Sequence, residues 1–225
     1  MIKFVDLFAG MGGTRLGLER SARNLNIDVK CVFTSEIKPY ALKTYNRFFK
    51  ENNGIVDIVN IDSKDIPDFD ILLGGFPCQA FSDAGKRRGF EDTRGTLFFE
   101  IARILKDKKP KAFILENVEG LITHDKGKTL SVILSTLEQL KYNVSYKVLD
   151  SKYFSTAQSR KRIYIVGTIN NKISLDFKKE KPIYFKDIQE NNLPVINNDL
   201  TNKILKHYKP EELYGKALKD KRGGE

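Results

Sequence analysis

The stretch Phe4-Val5-Asp6-Leu7-Phe8-Ala9-Gly10-Met11-Gly12-Gly13-Thr14 decides the fold of this chain. A β-rich apolar run passes directly into a glycine-rich turn, and glycine lets a backbone turn tightly and approach a ligand closely. In an α/β protein such a turn lies at the carboxyl end of the first strand, where ligands bind. The alternative is a glycine-rich strand-to-helix turn that binds nothing.

Short apolar runs alternate with helix-like spans through the first part of the chain. The runs that we interpret as strands lie at about 2–8, 29–35, 70–74, 111–116, 143–149 and 162–169. Spans 96–106 and 128–140 each have one apolar helix face. The pattern predicts an α/β fold with a mostly parallel, doubly wound sheet.

The alternation fades after about residue 170, where Asn, Lys and Pro become frequent and only a short helix at 200–208 is suggested. We therefore predict a catalytic and cofactor-binding domain over residues 1–170 and a linker region over residues 171–225.

Composition limits the classes of protein. The chain has 225 residues, with 39 Lys and Arg against 29 Asp and Glu, and a net charge of +10. This excess favours an anionic partner such as nucleic acid, although a solvated lysine-rich surface is an equally open interpretation. Cys31 and Cys78 are too few for a disulfide scaffold or a four-ligand zinc site, so we expect no metal.

The chain has no apolar stretch near the ~18 residues that span a bilayer, and its N-terminus lacks the shape of a signal peptide. We therefore expect a cytoplasmic protein without a membrane partner.

Two acidic residues follow the first strand and its glycine turn at positions where they could bind a nucleoside. Glu36 ends the second apolar run, 26 residues after Gly10, where an acid can accept hydrogen bonds from ribose hydroxyls. Asp62 follows a third strand region near 55–61 and is a candidate for the exocyclic amine of an adenine. A helix-capping or turn aspartate is the other interpretation of Asp62.

A thiol follows the next strand, in Gly74-Gly75-Phe76-Pro77-Cys78-Gln79. Basic neighbours would favour its thiolate, although most cysteines are inert small hydrophobes, as we expect of Cys31. The stretch after Cys78 is long, basic and rich in glycine, which suggests a lid over a phosphate-bearing substrate. A solvated charge run is the alternative.

Two further polar motifs follow strands. Glu116-Asn117-Val118 places a carboxylate at the same sheet edge, where it could hold a heterocycle or serve as a helix N-cap partner. In Gln158-Ser159-Arg160-Lys161-Arg162, Arg160 and Arg162 share a face if the chain is extended. Two guanidiniums on one face suit anions or carbonyls, and a charged edge strand is the alternative.

Taken in order, five motifs resemble the cytosine-C5 DNA methyltransferases of the bacterial restriction–modification (HhaI-like) type. The motifs are residues 6–13, 75–82, 94–99, 116–118 and 158–162, and the resemblance covers about residues 1–170. It implies a Rossmann-like fold that binds S-adenosylmethionine and releases S-adenosylhomocysteine.

The resemblance also implies a set of cofactor-binding residues. Glu36 would hold the ribose, while Ile37, Asp62 and Leu97 would frame the adenine. The remaining residues would line the pocket or border the sulfonium end: Phe8, Gly10, Met11, Gly13, Gly75 and Pro77.

The catalytic residues implied are Cys78, Glu116, Arg160 and Arg162. Cys78 would add to C6 of a cytosine rotated out of double-stranded DNA, and Glu116 would hold its N3 and exocyclic amine. Arg162 would reach O2, and Arg160 would bind the flipped nucleotide or support the thiolate. The residues expected to close over the DNA are Gln79, Ser82, Lys86, Arg87, Arg88 and Arg94.

The family's target-recognition domain and closing Asn-containing motif have no counterpart here. We expect either a split enzyme whose second subunit carries these parts or a truncated form of a longer enzyme. In both cases we expect feeble cofactor binding by this polypeptide alone. A tRNA cytosine-C5 methyltransferase and a non-catalytic DNA-binding subunit remain alternatives. A nicotinamide oxidoreductase fits least, because its glycine spacing is wider than that of Gly10-Met11-Gly12-Gly13.

Overall fold

A computed structural model describes residues 1–77 and 97–188, together with residues 199, 202 and 206. The chain forms two compact units. The first consists of Met1–Asp150 and Lys161–Lys178, and the second of Ser151–Arg160 and Lys179–Glu225. Residues 151–160, which the sequence placed in the catalytic domain, thus belong to the second unit. The domain division at residue 170 stays a prediction.

The first unit is built on a sheet with six strands among the described residues. These are β1 (Ile2–Leu7), β2 (Val29–Ser35), β3 (Ile71–Gly74), β4 (Ala112–Val118), β5 (Asn143–Asp150) and β6 (Lys161–Thr168). Their order across the sheet is β2-β1-β3-β4-β6-β5. The pairs among β1 to β4 are parallel, whereas β6 runs antiparallel to both β4 and β5. The α/β prediction and its mostly parallel sheet are confirmed.

Amphipathic helices cover this sheet. They are α1 (Gly13–Asn24), α2 (Pro39–Phe49), α3 (Leu97–Lys108) and α4 (Lys128–Gln139). The apolar stripe of α3 buries Ile101, Ile104 and Leu105 completely, and that of α4 buries Ile133 and Leu137. These side chains join the strand residues of one hydrophobic core, as the helix periodicity predicted. No helix in the described ranges is long and apolar enough to cross a bilayer.

The prediction of a strand near residues 55–61 is wrong. Val56 N–H does donate to the Glu36 carbonyl at 3.1 Å, beside the end of β2. The chain then turns into the 3-10 helix Ile58–Asn60, because the Asp57 side chain accepts from Val59 N–H and caps that turn. Of the short helix expected at 200–208, residues 202 and 206 are described, and both are helical.

The described part of the second unit is small. Glu180 N–H donates to the Tyr153 carbonyl at 3.0 Å, and the Lys179 ammonium lies 4.6 Å from the centroid of the Tyr153 ring. The short helix α5 (Phe185–Ile188) follows these contacts in the chain.

Candidate active site at the carboxyl edge of the sheet

Backbone hydrogen bonds hold the carboxyl ends of the first three strands together. Ala9 N–H donates to the Ser35 carbonyl at 3.0 Å, and Gly75 N–H donates to the Leu7 carbonyl at 3.3 Å. A Cβ built on Gly75 would lie 3.6 Å from Glu116 Oε2 and 3.7 Å from the Phe8 carbonyl oxygen. The Glu116 carboxylate, near the carboxyl end of β4, therefore lies beside the turn that follows β1.

The glycines of that turn play different parts. Gly10 and Gly12 have positive φ values of 56° and 86°, a conformation that other residues adopt at a cost. No described atom lies within 4 Å of a Cβ built on Gly10 or Gly13, so the described residues leave the space outside the turn free. A Cβ on Gly12 would lie 2.3 Å from Phe49 Cε2, so Gly12 permits close packing against α2.

Glu36 is anchored to the same turn. Its side chain is buried, Oε2 accepts from Gly10 N–H at 2.7 Å, and Oε1 accepts from Lys38 N–H at 2.8 Å. An ionised carboxylate has about four acceptor sites, so two remain for ribose hydroxyls. The neighbouring Met11 and Ile37 are exposed apolar side chains. This arrangement fits a nucleoside, because the flat face of a base can pack against apolar side chains.

Asp62 caps a turn, as the alternative interpretation expected. Its Oδ1 accepts from Lys64 N–H at 2.9 Å at the start of the 3-10 helix Ser63–Asp65. The cap uses one carboxylate oxygen of an exposed residue, so it does not conflict with a contact to adenine. Leu97, the other residue expected to frame the adenine, is half-buried at the first position of α3.

Two of the four catalytic candidates are in contact. Arg162 Nε lies 2.9 Å from Glu116 Oε1, and both side chains are partly buried. The register of β4 and β6 explains the pairing, because Val118 lies opposite Arg162 and Glu116 lies opposite Tyr164. Glu116 and Arg162 are thus diagonal neighbours on one face of the sheet.

Asn117 fixes the backbone next to this pair. Its side chain is buried on the opposite face of β4, Nδ2 donates to the Phe76 carbonyl at 2.9 Å, and Oδ1 accepts from Val118 N–H at 2.8 Å. The amide therefore holds the chain directly before Pro77, which is exposed. From the sequence, Asn117 was recognised only as part of the Glu116-Asn117-Val118 motif. Its contact with Phe76, 41 residues away, was not predicted.

The remaining catalytic and DNA-binding candidates lie outside the described residues or belong to the second unit. Cys78, Gln79, Ser82, Lys86, Arg87, Arg88 and Arg94 fall outside the described residues. Arg160 belongs to the second unit, where its carbonyl accepts from Ser151 N–H at 3.2 Å.

Cys31 is half-buried and donates to the Phe33 carbonyl at 3.4 Å, and burial raises the pKa of its thiol. Such a thiol is unreactive.

A buried polar network lies under the glycine turn and was not predicted from the sequence. The Arg15 guanidinium donates to both oxygens of Glu51 at 2.7 and 2.9 Å and to the Tyr45 hydroxyl at 2.8 Å. It also lies 3.9 Å from the centroid of the Phe49 ring. The sequence gave one weak indication that Arg15 is buried. Arg15 lies on the same helix face as the apolar Ala22, and this face points inward.

Asp6 lies in β1 close to this network. Burial raises the pKa of its carboxyl to about 7, although a hydrogen bond from Tyr45 and the charge of Arg15 act in the opposite direction. Its Oδ2 has no hydrogen-bond partner among the described residues. Asp6 therefore carries a carboxyl group whose ionisation is costly in the folded protein.

The described ranges contain no group of three or more His, Cys, Asp or Glu side chains that could hold a metal ion.

A mostly parallel sheet with a glycine turn and an anchored acid at its carboxyl edge defines a Rossmann-like α/β fold, and solved structures of methyltransferases show the same fold. S. pombe Dnmt2 methyltransferase aligns with a TM-score of 0.60 and 24% identity, over 77% of this chain and 52% of that one. Entamoeba histolytica methyltransferase EhMeth aligns with a TM-score of 0.63 and 19% identity, over 86% of this chain and 61% of that one.

The family model described as C-5 cytosine-specific DNA methylase matches residues 2–222, and the chain belongs to this family. The type II methyltransferase M.NlaIV of Neisseria lactamica is 56% identical over 99% of this chain and 54% of its own length. M1.ScrFI of Lactococcus lactis subsp. cremoris is 54% identical over 88% of this chain and 50% of its own length. The chain thus spans about half the length of these relatives. Membership of this family indicates S-adenosylmethionine as the cofactor.

Proposed function

We propose that this chain is the catalytic portion of an enzyme that transfers a methyl group from S-adenosylmethionine to C5 of cytosine in double-stranded DNA. The observation that carries the proposal is the position of the Glu116 carboxylate beside Gly75 and the turn after β1. Family membership supports the chemistry. Relatives named type II methyltransferases favour DNA over tRNA and a restriction–modification role.

The turn and the strand ends would hold the cofactor. The open space outside Gly10 and Gly13 would receive it, Glu36 would accept from its ribose, and Ile37, Asp62 and Leu97 would frame its adenine. Phe8, Met11, Gly75 and Pro77 complete the proposed pocket. The bound cofactor supplies an electrophilic methyl group on sulfur.

The proposed reaction begins at Cys78. Its thiolate would form a bond to C6 of cytosine, which would make C5 nucleophilic enough to take the methyl group and leave S-adenosylhomocysteine. The C5 proton then leaves, the C6–S bond breaks, and the thiolate is restored.

Glu116 and Arg162 would act on the other side of the ring. The Glu116 carboxyl would hold N3 and the exocyclic amine while charge develops on the ring, and Arg162 would reach O2. Their contact at 2.9 Å already holds both groups at one place on the sheet. Arg160 would bind the flipped nucleotide.

The target atoms are inaccessible in a base-paired duplex, so the cytosine would have to be rotated out of the stack. Residues 79–96 would close over it, and their cations would contact phosphates. Because the relatives are about twice as long as this chain, we propose that sequence recognition requires residues outside it, in the same polypeptide or in a second one.

The test measures labelled methyl transfer from S-adenosylmethionine to DNA and to tRNA. The chain is assayed alone and together with the part of M.NlaIV that lies outside the matched region. We expect C5-methylcytosine in DNA from the combined sample, very little from the chain alone, and none from Cys78→Ser. Methylation of tRNA but not DNA, or equal activity of Cys78→Ser, would contradict the proposal.

A further inference from the structure

The side chain of Arg103 connects α3 to the segment that carries Asp62. Its Nη1 donates to the Ser63 hydroxyl at 2.7 Å, and its Nη2 donates to the Ile58 carbonyl at 3.2 Å. These two acceptors lie on either side of Asp62 in the chain. One guanidinium therefore holds both ends of the turn from which the Asp62 carboxylate projects.

Glu100 sets the direction of this guanidinium. Its Oε2 accepts from Arg103 Nε at 2.9 Å and from Nη2 at 2.7 Å, one helical turn earlier on α3. The fork of the guanidinium is planar, so a carboxylate on one side fixes where the other donors point. Ser63 is buried, so its hydroxyl is shielded from competing water.

The same helix carries Leu97 at its first position, six residues before Arg103. On the far side, Val56 N–H ties the segment to the carbonyl of Glu36 at 3.1 Å. The Asp62 turn is therefore fixed between the residue proposed to hold the ribose and the helix that carries Leu97.

We infer that Arg103 is a positioning residue for recognition of the adenine ring, acting through Asp62. The inference rests on the proposed function, in which Asp62 accepts from the exocyclic amine of the cofactor. Lysine at this position has one compact ammonium group and cannot bridge Glu100, Ser63 and Ile58 with the same geometry. Arg103→Gln removes the charge and most of the donors.

The experiment measures the affinity of the full chain for S-adenosylhomocysteine and for S-inosylhomocysteine, in which a carbonyl replaces the exocyclic amine. Ligand-detected NMR titration covers weak binding. The ratio of the two dissociation constants is the readout, because partial unfolding of a variant changes both constants by the same factor. A purely structural defect therefore leaves the ratio unchanged.

We expect the unaltered chain to prefer S-adenosylhomocysteine by about tenfold or more, as for one hydrogen bond to a charged group. Asp62→Asn and Arg103→Gln should each bring the ratio close to one, the double variant should lower it no further, and Arg103→Lys should be intermediate. Lys108→Met is the matched control on the same helix, because Lys108 pairs with Asp68 at 3.2 Å and not with the Asp62 turn. It should keep the full preference.

An unchanged ratio in Arg103→Gln, with Asp62→Asn reduced, would overturn the role of Arg103 alone. If the unaltered chain binds neither compound, the proposed cofactor site is contradicted, and the inference with it.

Discussion

Asp6 makes the stability of this protein depend on pH in an unusual direction for a carboxyl group. Its pKa is raised to about 7 by burial, above the ordinary value of 3.8. The folded state therefore binds more protons than the unfolded state between about pH 4 and 7, and the free energy of unfolding falls as the pH rises through this window.

Asp6→Asn should remove this dependence, because the amide stays neutral. We compare the free energy of unfolding of Asp6→Asn with that of the unaltered chain at each pH. The difference should change in favour of Asp6→Asn by up to about 4 kcal/mol between pH 4 and pH 7.5. Urea unfolding at several pH values measures the difference. Asp70→Asn is the control, since a hydrogen bond from Lys111 lowers the pKa of the Asp70 carboxyl, so any effect of this substitution on the free energy of unfolding is expected below pH 4. A pH-independent difference for Asp6→Asn would contradict the assignment.

Asn117 offers a second test at the level of one side chain. Asn117→Asp keeps the oxygen that accepts from Val118 N–H but replaces the donor to the buried Phe76 carbonyl with a carboxylate. We expect a loss of about 2 kcal/mol in unfolding free energy at pH 8, partly recovered at pH 5 as the carboxyl is protonated and donates again. Asn143→Asp, on an exposed amide of β5, should cost less than about 1 kcal/mol. Equal losses in both variants would argue against a special role for Asn117.

The elements follow the sequence closely where local pattern decides them. All six described strands begin and end within about two residues of the predicted bounds, because continuous apolar runs and glycine turns mark their ends. The region 55–61 was misread because it contains the β-rich residues Ile55, Val56, Ile58, Val59 and Ile61. Capping by Asp57 turned it into a 3-10 helix.

The site was predictable to the extent that its residues follow strands. Glu36, Gly75 and Glu116 converge because parallel strands bring their carboxyl ends to one edge. Contacts between distant residues were not predictable, as Arg15 with Glu51, Arg103 with Ser63 and Asn117 with Phe76 show. A single sequence carries no signal that pairs such side chains across 36 to 41 residues.

The junction of β1 and α1 can be tested with a pair of alanine substitutions. Gly12→Ala places a methyl group 2.3 Å from Phe49 at a φ of 86°, so we expect a loss of about 2–4 kcal/mol in unfolding free energy and weaker binding of S-adenosylhomocysteine. Gly17→Ala lies within α1, where no described atom is within 4 Å of the new Cβ, and should stabilise by about 0.5–1 kcal/mol. Urea unfolding and ligand titration measure both. Similar stability of the two variants would contradict the packing described for Gly12.

At the scale of the whole molecule, the proposed site lies at one edge of the sheet, in a chain with a net positive charge. The anchored Glu36, the Glu116–Arg162 pair and the glycine turn all belong to the first compact unit, so the proposed cofactor site and the proposed base-binding carboxylate share one scaffold. The net charge of +10 suits a DNA partner, although charge alone does not distinguish DNA from RNA.

In the proposed function, Glu116 and Cys78 act on the same cytosine beside the methyl donor. Covalent trapping tests it most directly, with the chain combined with the remaining part of M.NlaIV and DNA that carries 5-fluorocytosine. Fluorine at C5 cannot leave as a proton does, so the bond between sulfur and C6 persists after methyl transfer. We expect a cofactor-dependent adduct on Cys78 that forms at least about 100-fold more slowly in Glu116→Gln but not in Glu119→Gln, with S-adenosylhomocysteine binding intact in both. An adduct on another residue, or equally rapid trapping by Glu116→Gln, would contradict the account.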